Sequence, residues 1–133
     1  MNGDGSDAIE AFADALKGSE KTIHLVGHST GGVLLGHLLG ALDRRPGRDI
    51  VASCSLMTPA CTIDFYEQNY RPRLGGAGGD ASLVQLPAMN VYNLTEELEE
   101  DDTVAFAYRK SLLCLVSHAL ERAPDKKKPL LGM

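Results

Sequence analysis

Tryptophan is absent from this chain, and phenylalanine and tyrosine together make up only 5% of it. A core with so few rings must be assembled from leucine, valine, isoleucine and alanine. The 44% hydrophobic content supplies enough of them for one soluble globular domain. At 133 residues there is no room for a second core. Positive charge is also in deficit: 13 Lys and Arg against 18 Asp and Glu leave a net charge of −5. That balance argues against nucleic acid or an anionic membrane as the partner. The one basic cluster, Lys126–Lys128, reads as part of a solvated tail.

Long apolar runs are missing too. The longest, Gly31 to Leu42, is interrupted by His37 and falls short of the roughly 20 residues a membrane helix needs. The opening Met-Asn-Gly-Asp-Gly has neither the basic region nor the apolar run of a secretory leader. Cys54, Cys61 and Cys114 form no C-x-x-C pair, and an odd number cannot all pair with one another. In apolar segments a free thiol behaves as a small hydrophobe. These absences point to a reducing, cytoplasmic setting, with no metal and no cofactor implied.

What is present is alternation. Ser6 or Asp7 is placed to cap a helix whose apolar residues Ala8, Ile9, Phe12, Ala13, Ala15 and Leu16 recur at helical spacing, with Gly18 as its stop. Thr22–Val26 reads as a short apolar strand, covered on both faces, and Gly32–Leu42 as a helix ended by Arg44-Arg45-Pro46-Gly47. Asp49–Met57 reads as a second strand stopped by Thr58-Pro59, Ile63–Tyr70 as a short helix, and Met89–Leu94 as a third strand. Leu74–Ser82, with four glycines in nine residues, reads as a flexible loop. An acidic run from Glu96 to Asp102 precedes a long helical pattern, Thr103 to about Glu121, and residues 123–133 read as a flexible tail. Strands alternating with helices predict an α/β fold, a parallel sheet of about three to four strands with flanking helices, in a single domain over residues 1–133.

One turn carries chemistry. Gly27-His28-Ser29-Thr30-Gly31 fits G-x-S-x-G, with a predicted strand before it and a predicted helix after it. An abrupt strand-to-helix turn forces its apical residue into strained backbone and crowds the residues two positions away. Glycine at 27 and 31 is expected to remove side chains that would collide. The turn lifts the Ser29 hydroxyl above the carboxyl end of the sheet and aims the first N–H groups of the helix at the same spot. Those groups and the helix dipole favour a developing negative charge, so the Thr30 N–H is a candidate oxyanion donor. Competing glycine motifs fail: no lysine follows for a phosphate loop, and Ser29 stands where a dinucleotide fingerprint needs glycine.

At "LVGHSTGG" the sequence resembles the α/β-hydrolase superfamily, and the turn looks like its nucleophile elbow. The resemblance covers the middle of that fold and implies a serine hydrolase of esterase type, with Ser29 transferring an acyl group from an ester, thioester or amide. Family members carry serine, acid and histidine in that chain order, the acid commonly just after a following strand. On this chain that implies Glu96 as the acid, with Glu97 and Asp102 as alternatives. The same carboxylates also read as solvated charge at a helix N-terminus. His118, inside the helical pattern "LLCLVSHAL", is the only histidine beyond the acidic run, whereas family members hold the base on a loop after a last strand. His28 occupies a slot that usually packs behind the turn, and His24 and His37 read as structural.

Two further features bear on function. Gly32, Gly36 and Gly40 recur every four residues and read as a smooth face that lets the helix approach the sheet closely. Phe65, Tyr66 and Tyr70 read either as the lining of an acyl pocket or as cover for a core edge. The alternative to an enzyme is a truncated or inactive hydrolase-like core acting as a binding or assembly module. Its sheet edges would then pair with a second copy or with a missing complementary segment.

Overall fold

The structure, a computed structural model, describes residues 4–16, 20–44, 50–75, 79–95, 122–123, 126–127 and 130–131. Helix α1 (Asp4–Leu16) leads to strand β1 (Ile23–His28), helix α2 (Gly31–Leu42) and strand β2 (Val51–Met57). Helix α3 (Ile63–Asn69), a 3-10 turn at Arg71–Arg73 and strand β3 (Met89–Tyr92) follow. β1, β2 and β3 form a parallel sheet in that order, with Leu25 beside Cys54 and Cys54 beside Met89. This is the α/β arrangement that the alternation of patterns predicts. Two short strands, β4 (Arg122–Ala123) and β5 (Lys126–Lys127), pair antiparallel.

Local chemistry sets most of the boundaries. β2 ends where Pro59 can no longer donate to a ladder. α3 starts at Thr62, whose hydroxyl accepts from the Phe65 N–H at 3.1 Å. It stops before Pro72. α1 begins at Asp4, earlier than the caps expected at Ser6 or Asp7, which fall inside the helix.

The core lies on one face of the sheet. Leu25, Val51, Cys54 and Leu56 pack with Leu35, Leu39 and Leu42 of α2, with Tyr70, and with Val84 and Leu86 from the loop before β3. The other face carries His24, Val26, His28, Met57 and Tyr92. It is open among the described residues, with Val26 62% exposed. β1 therefore alternates buried and exposed, which differs from the expected strand covered on both faces. The glycine stripe differs as well. A Cβ on Gly32 would sit 3.0 Å from the Pro59 Cβ, and one on Gly36 only 2.5 Å from the Phe65 ring, while Gly40 faces open space. The smooth face receives the segment from Pro59 to Phe65, not the sheet.

Buried polar groups hold this packing in place. The Tyr70 hydroxyl donates to the Gly32 carbonyl. The Arg73 guanidinium, 4% exposed, donates to both carboxylate oxygens of Asp43 at 2.6 and 2.7 Å, and its Nε to the Asn69 carbonyl. Asp43 also accepts from the Val84 N–H at 2.7 Å. Within the stretch that reads as a tail, Leu130 is buried and bridges to Thr62, and the Leu131 N–H donates to the Cys61 carbonyl. No helix among the described residues is long and apolar enough to cross a membrane.

Candidate functional site

Ser29 sits between β1 and α2 with φ of 53°. A non-glycine residue in the left-handed region pays about 1–2 kcal/mol, so its surroundings must hold it there. They do so through the backbone. The Ser29 N–H donates to the Met57 carbonyl at 3.0 Å, and the Ser29 carbonyl accepts from Gly32 and Ala60 N–H groups, each at 3.0 Å. The serine is thus clamped between its own helix and the turn that leaves β2.

The flanking glycines play unequal parts. A Cβ on Gly27 would lie 2.8 Å from Leu35 Cδ1 and 3.0 Å from the Gly31 carbonyl carbon, so the close approach of turn to strand requires glycine there. A Cβ on Gly31 would meet nothing within 4 Å. The expectation that both glycines relieve crowding therefore applies to Gly27 alone, because the chain at Gly31 has already turned away into the helix.

Thr30 is the N-cap of α2, and its side chain makes no capping hydrogen bond. Its carbonyl accepts from Val33 and Leu34, and among the described residues nothing accepts from its N–H. An exposed donor at the positive end of a helix, one residue from the Ser29 hydroxyl, is the arrangement that an anionic oxygen would favour. The Ser29 side chain is half-buried and has no hydrogen-bond partner among the described residues.

No family model, curated protein or solved structure matches the chain.

Glu96, Glu97, Asp102 and His118 lie outside the described residues. The remaining histidines are not beside Ser29 in hydrogen-bonding terms. His24 Nδ1 is 2.8 Å from Ser53 Oγ on the open sheet face. His37 meets the Phe65 ring edge-on at 5.3 Å. His28 is exposed at the end of β1 opposite Met57, and does not pack behind the turn.

Of the aromatic trio, Tyr70 is wholly buried in the core and stacks on Tyr66, while Phe65 fills the notch at Gly36. They cover a core edge, with Phe65 and Tyr66 partly buried against the cluster that holds Tyr70. Cys54 and Cys61 are buried free thiols, and burial pushes both to higher pKa, Cys54 to about 11. A thiol held protonated is a poor nucleophile. One residue escaped the sequence reading. Thr58, directly after β2, also has positive φ, 39°. Its only trace in the sequence is the Thr-Pro pair, which reads as nothing more than a strand stop.

Proposed function

We propose that the chain is a serine acyl-transfer core of the α/β-hydrolase type, acting on an ester, thioester or amide through Ser29. The observation that carries this reading is the left-handed Ser29 at the carboxyl end of a parallel strand, directly before a helix. Strain of that kind persists where surrounding structure over-determines it, as functional sites do. In this reading the Ser29 oxygen adds to the substrate carbonyl carbon while its proton passes to an imidazole base. The carbonyl electron pair moves onto oxygen, and the Thr30 N–H stabilises that oxyanion. Glu96, with Glu97 or Asp102 as alternatives, orients and offsets the imidazolium, and His118 is the base the sequence offers beyond the acid. Expulsion of the leaving group gives an acyl-serine that water then cleaves.

A fluorophosphonate probe tests this directly, since it forms a stable bond only with an activated serine. Folded wild-type protein should label, and Ser29→Ala should not. Absence of labelling in the wild type, or equal labelling of both, would refute the reading.

A second reading is favoured by the sheet itself. Among the described residues β1 pairs on one side only, and its sequence, IHLVGH, carries none of the lysine or proline that usually blunts an edge strand. In that reading the chain is an assembly module whose β1 edge takes a strand from a second copy. Mass determination during gel filtration separates the two: a dimer that does not label favours assembly, and a monomer that labels ends it.

A further inference from the structure

We infer that Thr58 is a second substrate-contacting residue of the Ser29 site, its hydroxyl donating to the developing oxyanion; this rests on the acyl-transfer reading of Ser29. Two strands of the sheet end in the same way. His28 lies beside Met57 and Met57 beside Tyr92 at the last paired positions. The ladder then runs on by one residue, because the Ser29 N–H donates to the Met57 carbonyl and the Thr58 N–H to the Tyr92 carbonyl at 2.7 Å. Ser29 and Thr58 are therefore neighbours across one strand spacing, about 5 Å. Both are half-buried, and both take positive φ.

Threonine is a costly choice for that position. β-branched residues are genuine outliers at positive φ, and a following proline drives its predecessor toward extended backbone. Glycine would satisfy the turn without strain. The turn itself is locked to the serine, since Pro59 is buried against Gly32 and the Ala60 N–H reaches the Ser29 carbonyl. What threonine adds over glycine is a side chain. Among the described residues its hydroxyl has no hydrogen-bond partner, so it is available to a ligand. The Thr58 N–H is already engaged, which leaves the hydroxyl as the donor.

During addition the Ser29 oxygen bonds to the carbonyl carbon, and its proton goes to the imidazole base. The Thr58 O–H donates a hydrogen bond to the oxygen that receives the carbonyl electron pair, and keeps its own proton. With a fluorophosphonate the same hydroxyl serves the phosphoryl oxygen as the serine–phosphorus bond forms and fluoride leaves.

The test compares labelling rates of wild type, Thr58→Val, Thr58→Ser and Thr58→Gly in the full chain, with thermal melting of each. Valine keeps the shape and removes the hydroxyl, so labelling should slow by about 100-fold, the usual effect of losing one such donor. Serine keeps the hydroxyl and should label at close to the wild-type rate. Glycine relieves the strain and removes the donor, so it should melt higher and label as slowly as valine. That opposite movement is one a merely structural role would not produce. Wild-type rates in Thr58→Val or Thr58→Gly would overturn the assignment while leaving Ser29 as nucleophile. Failure of the wild type itself to label would bring down both.

Discussion

Ser29 and Cys54 show how the fold sets a single residue's state, the backbone conformation of one and the ionisation of the other. Ser29 is legible in the sequence because the glycine pattern around it has few other uses. Thr58 is not legible, because the turn after β2 is held by contacts of Pro59 with Gly32 and of Ala60 with Ser29 that no local pattern describes. Cys54 lies between them in legibility: its apolar context predicts a buried thiol, and burial is what the structure has, with no exposure at all. Desolvation lifts its thiol from 9.0 to about 11. In the unfolded chain this thiol ionises near 9, while in the folded protein it keeps its proton until about 11. Stability from this group is therefore complete below about pH 9 and is lost as pH rises through 11. The slope is at most about 1.4 kcal/mol for each pH unit. Tyr70, also raised by burial, acts with the same sign. Urea denaturation at pH about 8 and about 10 should show this alkaline loss, and Cys54→Ala should flatten it. An unchanged slope in the variant would assign the loss to other groups.

At the scale of elements, helix α2 is where sequence pattern and structure diverge most instructively. Its start, its end and its glycine spacing are all readable, and the helix spans Gly31–Leu42 against the expected Gly32–Leu42. What fills the groove is not readable, because Pro59 and Phe65 arrive there only after β2 has been placed beside β1. The three glycines therefore differ in a way that spacing alone cannot express. Gly36→Ala would drive a methyl to 2.5 Å from a Phe65 ring that is also fixed by His37 and Tyr70. We expect overpacking to cost about 1–3 kcal/mol, more than the propensity gain of about 1 kcal/mol. Gly40→Ala meets nothing, so only the propensity gain remains and stability should rise by about 0.5–1 kcal/mol. Paired denaturant titrations of the two variants decide it. Shifts of the same sign would mean that Phe65 does not occupy the notch as described.

The whole molecule is held by contacts that join residues far apart in the chain, and these were the least legible of all. Arg73 and Asp43 are separated by 30 residues, and Asp43 and Val84 by 41. Nothing in a charged pair of that spacing distinguishes it from the many solvated ones around it. Burial makes the difference. Asp43 ends α2, Arg73 follows α3, and Val84 belongs to the loop that feeds β3, so one carboxylate fastens three segments of the chain together. Removing the guanidinium would take away both of its charged hydrogen bonds to that carboxylate, in a place where the arginine is only 4% exposed. The cost of breaking such a pair from one side is about 3–5 kcal/mol. Arg71, two residues earlier, also makes an ion pair, with Glu67 at 2.8 Å, but there the side chains are 67% and 42% exposed. Water screens that pair, and its loss should cost less than about 1 kcal/mol. Arg73→Ala is thus expected to lose several times more stability than Arg71→Ala in urea denaturation monitored by circular dichroism. Similar losses for the two variants would show that the buried pair contributes no more to stability than the exposed one.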